Sequence, residues 1–385
     1  MEELIQIRRY KHLDMSYGDS YFLWGVRQVG KSTMLNQHFP DAMRFDLLES
    51  DLFRRLLSAP ELFRERILAS PNTKLVIVDE IQKLPILLDE VHWLIENKRI
   101  QFILTGSSPR KIVRQGVNLL GGRAIRTELL PLSFIEIPNF NLLKALNDGL
   151  MPKHYLSTRA DRLIGSYIGA YLQDEIIAEA QVREVAAFSR FLDNAAFSNA
   201  EILSYTNIAT ECGIKATAVK AYFNILVDTM IGNFVEPFQK APKRRVVGSP
   251  KFYFFDVGIC NYLLKRRGIE YGTVHFGTAF EHFIYMELKA YITYNSKNYP
   301  IRYWRTTSGF EVDFIIGDAV AAIEVKGAKQ INSRHLKGLT AFAEEYSVQH
   351  KIVVCLEDYA RLVNDTILVL PWQDFLQRLW KGELF

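Results

Sequence analysis

Cysteine is scarce in this sequence: three residues, Cys212, Cys260 and Cys355, stand among 385 positions with no C-x-x-C pair. That spacing argues against a zinc site and a disulfide framework and leaves the cysteines as small buried hydrophobes. Long apolar runs are missing too. The longest are strand-length, far from the roughly 18 to 20 residues of a membrane span, and the opening MEELIQIRRY lacks the apolar core of a signal peptide. No membrane contact and a cytoplasmic location are therefore expected. Neither sign of charge dominates: 47 Lys and Arg against 43 Asp and Glu leave +4, which permits an anionic partner without demanding one. Internal repeats and low-complexity tracts are not found. A chain of 385 residues, 49% hydrophobic and 23% charged, has the makings of a sizeable core and room for two or three domains.

Against that plain background, SYFLWGVRQVGKSTML carries G-x-x-x-x-G-K-[ST] from Gly25 to Ser32. Ser20 to Trp24 reads as a short buried strand and Thr33 to Phe39 as the start of a helix, so the glycines fall at a strand-to-helix turn, where the pattern has mechanical meaning. Gly25 and Gly30 let the backbone turn its N–H groups inward around phosphates, and the helix N-terminus adds its partial positive charge. Lys31 then reaches the β/γ-phosphates and the Ser32 hydroxyl ligates Mg²⁺. Gly25, Gln28, Val29, Gly30, Lys31, Ser32 and Thr33 form the expected ATP-binding loop.

LVIVDEIQKLP places four apolar residues, Leu75 to Val78, directly before Asp79 and Glu80. Such a run suits a central parallel strand buried on both faces, whose carboxyl end is where ligands bind in open α/β sheets. Asp79 is expected to hold Mg²⁺, and Glu80 to polarise the water that attacks the γ-phosphate, as the catalytic base. A third strand, Gln101 to Leu104, ends in Thr105-Gly-Ser-Ser108, whose hydroxyls either sense the γ-phosphate or cap the following helix at Pro109-Arg110. Arg110, Arg114, Arg123 and Arg126 are candidates for an arginine that neutralises transition-state charge, in cis or from a neighbouring subunit of a homo-oligomer.

GVRQVGKST, VDEIQKLP, LTGSS, GGRAIRTELLPLSF, SYTNIATECGI and KFYFFDVGI resemble segments of the prokaryotic AAA-type ATPases whose nucleotide domain is joined to a C-terminal domain of unknown function of the DUF4143 type. The resemblance covers the chain from about Tyr21 to Gly327. It implies an ATP-binding fold, and it makes Arg123, the arginine of the Gly122-Arg123 pair, the preferred finger.

Residues 1–145 are expected to hold the P-loop machinery and 146–198 a helical connector or lid, with apolar positions Leu163, Tyr167, Tyr171, Ile176, Val185, Phe188, Phe191 and Leu192 at helical spacing. The third part, 199–255, has the layout of a helix-turn-helix. Tyr205 to Glu211 gives a short helix, Gly213 the turn, and a longer helix buries Val219, Tyr222, Ile225 or Leu226 while leaving Lys215, Thr217, Lys220 and Asn224 outside. Extended segments near 232–237 and 251–255 supply a wing. Between them, Lys240, Lys243, Arg244 and Arg245 form a basic tip suited to DNA or RNA phosphates, unless the module only packs against a domain or subunit.

In the last part, 256–385, GFEVDFIIGDAVAAIEVKG reads as two strands around a turn at Gly317-Asp318. Asp313, Glu324 and Lys326 fit D-x(10)-E-x-K, and Glu324 and Lys326, two apart, share one face of their strand. Two carboxylates and a lysine at one sheet edge can bind Mg²⁺ and deprotonate a water, the chemistry of phosphodiester hydrolysis. The pattern resembles the PD-(D/E)xK nuclease superfamily, with Val312-Asp313 where the naming Pro-Asp would stand. That resemblance implies a restriction-endonuclease-like α/β fold and gives Glu281 a place beside Asp313, Glu324 and Lys326. The expected whole is an α/β chain: a parallel-sheet ATPase acting as a nucleotide-driven motor or switch on a nucleic-acid or protein partner, with a C-terminal sheet that is either a metal-dependent nuclease or a binding surface.

Overall fold

The computed structural model describes residues 7–110, 112, 120–169, 185–240 and 244–385, so the expectations placed on Arg114, Tyr171, Ile176 and Lys243 fall outside the described residues. The chain forms two compact units, one of residues 1–131 with 228–231, the other of 132–227 with 232–385.

In the first unit the strands are β1 (Ser20–Trp24), β2 (Met43–Asp46), β3 (Leu75–Asp79), β4 (Gln101–Gly106) and β5 (Ala124–Glu128), all parallel, in the order β2-β3-β4-β1-β5. The parallel sheet expected from LVIVD is present, with Val76, Ile77 and Val78 buried. Its core joins Phe22, Phe45, Val76, Val78, Phe102 and Leu104 to Phe63 and to Leu87, Leu88, Val91 and Leu94 of the helix Leu87–Lys98. The 3.6-residue period of that helix puts those four on one stripe. Removing one such aromatic, for example Phe102→Ala, costs about 3–5 kcal/mol, because lost transfer energy and a cavity add.

The second unit begins with helices that include Ala160–Tyr167, Val185–Phe197, Tyr205–Cys212 and Ala216–Asp228, the last ending on a residue that belongs to the first unit. Gly213 adopts φ 68, the left-handed conformation that ends the helix before it. Val219, Ile225 and Leu226 are buried and Lys215, Thr217, Lys220 and Asn224 exposed, as expected, but Tyr222 is only half-buried and the neighbouring Phe223 takes the inward place.

Eight further strands follow: β6 (Gly232–Pro237), β7 (Lys251–Phe254), β8 (Ile301–Arg305), β9 (Glu311–Ile316), β10 (Ala321–Val325), β11 (His350–Cys355), β12 (Arg361–Val363) and β13 (Ile367–Pro371). They form one sheet, β12-β13-β11-β10-β9-β8-β6-β7. β6 and β7 pair antiparallel, as a wing would, but β6 also pairs in parallel with β8 through Glu236↔Arg302 and Pro237↔Tyr303. The division expected at 255–256 therefore falls inside a continuous sheet. Ladder hydrogen bonds carry no sequence signature of their own, which is why local patterning did not show this join. The helix Val274–Tyr294 is exposed at its start and mostly buried from Ala279 on, and its interior polar groups are matched: His282 meets Asn199 Nδ2 and the Phe254 carbonyl, and Glu287 accepts from Phe134 N and Trp380 Nε1. The three cysteines are free and buried.

Candidate nucleotide site and C-terminal carboxylate cluster

The P-loop lies between β1 and the helix Lys31–His38, whose N-cap Gly30 sits at φ 99, a conformation that strains any side chain. At the other end of the loop a Cβ on Gly25 would lie 2.5 Å from the Leu129 carbonyl oxygen, so no larger residue fits. Register brings three strand ends together: Val78 stands beside Leu104 and Trp24 beside Gly106. At this edge the Ser32 hydroxyl donates to Asp79 Oδ2 at 2.6 Å, and Thr105 Oγ1 donates to Asp79 Oδ1. Ser32 and Asp79 thus form an oxygen pair suited to Mg²⁺, a cation that takes one or two protein oxygens and completes its shell with phosphates and water.

The sequence motif aims Lys31 at the phosphates. It is instead buried, with its ammonium folded back onto the Gly25 and Val26 carbonyls. Two of the loop's own buried carbonyls thus accept from the ammonium. Glu80 adopts φ 59, unusual for a non-glycine residue, and its amide faces Thr105 Oγ1 at 3.4 Å. Strained backbone of this kind costs on the order of 1–3 kcal/mol and clusters at functional sites. Its carboxylate accepts from Gln82 Nε2, which also donates to Ser107 Oγ at 3.1 Å. Gln82 was not singled out by sequence reasoning, although its place three residues after Asp79 made it visible.

Ser108 and Arg110 do something different: Ser108 Oγ donates to the Asp228 carbonyl at 2.8 Å, and Arg110 is ion-paired with the Asp228 carboxylate. Arg123, the preferred finger, is exposed and paired with Glu96, and Arg126 is exposed. Of the basic tip, Lys240 is paired with Asp318, and Arg244 with Glu344 and Glu345, so both are committed to neighbouring carboxylates; Arg245 is exposed.

The C-terminal residues converge. β9 and β10 run antiparallel with Ile316 opposite Ala321, closing the expected turn, and both Asp313 and Glu324 are buried. Asp313 accepts from Val325 N at 2.8 Å, and Lys326 is paired with Glu324. Burial, then the nearby Glu281 charge, pushes Asp313 up to about 7; burial, then Asp313, raises Glu324 well above the usual carboxylate range. For Lys326 burial works downward, but Asp313 and Glu324 outweigh it and raise the ammonium's pKa. Glu281 accepts from Tyr253 Oη at 2.6 Å and from Lys251 Nζ at 3.2 Å, and Lys251 also meets Glu311 at 2.9 Å. Lys251, 3% exposed, is thus a buried cation in the cluster, beside the half-buried Lys326. Nothing local in KFYFF marked it out.

Among the described residues no group of three or more His, Cys, Asp or Glu side chains is arranged to hold a metal ion. What the cluster offers is a carboxylate pair, in which Glu324 Oε2 is buried without a hydrogen-bond partner. An orphaned carboxylate oxygen fits a divalent cation better than it fits bulk burial.

Family comparisons divide the chain in three: an AAA domain matches residues 18–138, a domain of unknown function (DUF8612) matches 139–270, and a domain of unknown function (DUF4143) matches 276–375. An uncharacterized protein of Mycobacterium tuberculosis is 25% identical over 309 residues, 76% of this chain and 66% of that one. An uncharacterized protein of Methanocaldococcus jannaschii is 23% identical over 326 residues, 76% of this chain and 71% of that one. Among solved structures, AMPPCP-bound DnaA from Aquifex aeolicus is 14% identical and covers 54% of this chain and 81% of its own, with a TM-score of 0.28. DnaA bound to AMPPCP and single-stranded DNA gives 14%, 55%, 82% and 0.27; these likenesses are too slight to bear on function. No helix among the described residues is long and apolar enough to cross a membrane. The chain carries an AAA-type P-loop ATPase domain over residues 18–138 and, over 276–375, a C-terminal domain of the DUF4143 family.

Proposed function

We propose that the chain binds Mg²⁺-ATP at the P-loop and hydrolyses it, and that the nucleotide state acts as a switch or motor on a protein or nucleic-acid partner. The observation that carries this reading is the Ser32 to Asp79 hydrogen bond at 2.6 Å, with Glu80 next in sequence and buried. It brings the phosphate loop, the metal carboxylate and the candidate base to one sheet edge. In the mechanism, the N–H groups of the loop and the Lys31 ammonium take the phosphates, so Lys31 must leave the Gly25 and Val26 carbonyls for them. Ser32 and Asp79 would hold the magnesium, which would neutralise charge on the phosphates. Glu80 orients and deprotonates the attacking water. Gln82 and Ser107 position Glu80 in the resting structure, and Arg123 stands as the arginine for a neighbouring subunit. Steady-state ATP turnover by the pure chain tests the reading; turnover no higher in the parent than in Lys31→Ala removes it.

A second reading, for the C-terminal domain, is metal-dependent phosphodiester cleavage at Asp313, Glu324 and Lys326, favoured by their convergence and by the orphaned Glu324 Oε2. Asp313 and Glu324 would hold the Mg²⁺, which would supply a water acidified for attack; Lys326, paired with Glu324, would orient it, and Glu281, tied to Lys251 and Tyr253, would support from the side. A DNA or RNA partner agrees with the exposed Lys215, Lys220 and Arg245. Plasmid nicking with Mg²⁺ or Mn²⁺, lost in Asp313→Ala, tests it.

A further inference from the structure

The P-loop is held from outside by a residue that its motif does not contain. Arg9, 5% exposed, donates from Nη1 to the Val29 carbonyl at 2.6 Å, and from Nη2 to the Leu130 carbonyl at 2.6 Å and the Pro131 carbonyl at 3.3 Å. Val29 and Gly30 share one peptide unit. In a planar trans peptide the C=O of one residue and the N–H of the next point in opposite directions. Whatever holds the Val29 carbonyl away from the phosphate cradle therefore turns the Gly30 N–H toward it. A glycine with φ 99 has a low barrier to rotation of that plane, so the orientation needs an external hold, and a charged donor is the strong kind.

The second prong of the guanidinium anchors this hold. Leu130 and Pro131 follow β5, and the strand end they extend from is itself tied to the loop's entrance, where Leu129 N donates to the Trp24 carbonyl at 2.8 Å. A lysine has one nitrogen and reaches one of these segments, whereas the planar fork of arginine spans both.

We propose that Arg9 is a positioning residue of the nucleotide site: it fixes the Val29–Gly30 peptide plane so that the Gly30 N–H faces the phosphates of a bound nucleoside triphosphate, using the backbone of Leu130 and Pro131 as its abutment. The inference rests on the nucleotide reading of the P-loop. It places Arg9 in binding rather than in the chemical step, since Glu80 and Asp79 lie on another strand.

The test uses the full chain with Arg9→Met, which keeps the buried stem, and Arg9→Lys, which keeps the charge. ATP affinity is measured by calorimetry, KM and kcat by turnover, and backbone exchange over residues 26–32 by hydrogen–deuterium mass spectrometry without nucleotide. Arg9→Met should raise Kd and KM at least tenfold, with kcat falling by a smaller factor, and should speed exchange over 26–32 while leaving β1, β3 and β4 protected. Arg9→Lys should fall between Arg9→Met and the parent in both readouts, and it decides the matter alone if Arg9→Met does not fold. A Kd within twofold of the parent together with unchanged exchange in a folded variant overturns the proposal, as does a general rise in exchange across the strands, which marks a merely structural arginine. A parent that binds no ATP defeats the nucleotide reading instead, and the exchange measurement still reads Arg9.

Discussion

On the proposed reading, replacing Glu80 by glutamine should separate ATP binding from ATP hydrolysis. The carboxylate is buried and accepts from Gln82 Nε2. A glutamine in the same place turns its amide oxygen toward Gln82 and keeps that bond, so the change costs at most about one neutral hydrogen bond, ~1 kcal/mol of stability. The unusual backbone at φ 59 persists because it is fixed by the strand end and the turn after it rather than by the side chain. What disappears is the base. Removing a positioned base lowers rates by about 10²- to 10⁴-fold, or roughly 3–5.5 kcal/mol in the barrier. Affinity for Mg²⁺-ATP should stay within about threefold of the parent, because Lys31, Ser32 and Asp79 are untouched. Single-turnover hydrolysis at saturating ATP, with calorimetric binding alongside, reads both numbers. Hydrolysis within threefold of the parent refutes the role given to Glu80 and moves the base elsewhere.

Lys31→Met should abolish measurable ATP binding by calorimetry, and it should also lower the melting temperature by a few degrees, since the resting ammonium satisfies two buried carbonyls. Millimolar Mn²⁺ should stabilise the nucleotide-free Lys31→Met chain against thermal unfolding, and this shift should vanish when Asp313→Ala and Glu324→Ala are added; an equal shift in that variant rejects the metal reading. Stability should fall as pH rises from about 6.5 to 8.5. Burial lifts Asp313 to about 7 and Glu287 to about 8, so the folded chain keeps protons that the unfolded chain has released, and the stability present below pH 4 is lost through those values. His154 and His282, lowered to about 4 by burial, act oppositely but only below about pH 6.5. Urea melts at both ends of the window measure the slope, and Glu287→Gln should flatten it.

What the sequence made legible were features whose meaning is local. Gly25, Gly30 and Lys31 lie within one turn, the apolar run before Asp79 declares a buried parallel strand, and the alternation around Gly317-Asp318 gives two strands and their turn in register. The helix pair about Gly213 was readable for the same reason. Partners brought together by distant pairing were not. Lys251 meets Glu281 and Glu311 only because β7 folds back against the helix Val274–Tyr294 and near β9, and Arg9 meets Leu130 across more than a hundred residues. A lysine opening a strand and an arginine in a basic N-terminal run look like solvated surface until the fold removes the water. The same limit hid the commitment of Arg244 to Glu344 and Glu345.

The first unit takes in residues 228–231, where Met230 packs against its core and Asp228 receives Ser108 and Arg110. During synthesis its sheet is complete when β5 has emerged, but the loop after β4 then has no Asp228 to hold it. About a hundred more residues must be made first, on the order of 5–20 s at 5–20 residues per second. Through that interval the nascent parallel-sheet unit lacks the Asp228 tether of its Ser107-Ser108 loop, and the unit is finished only after the helix Ala216–Asp228 has been made.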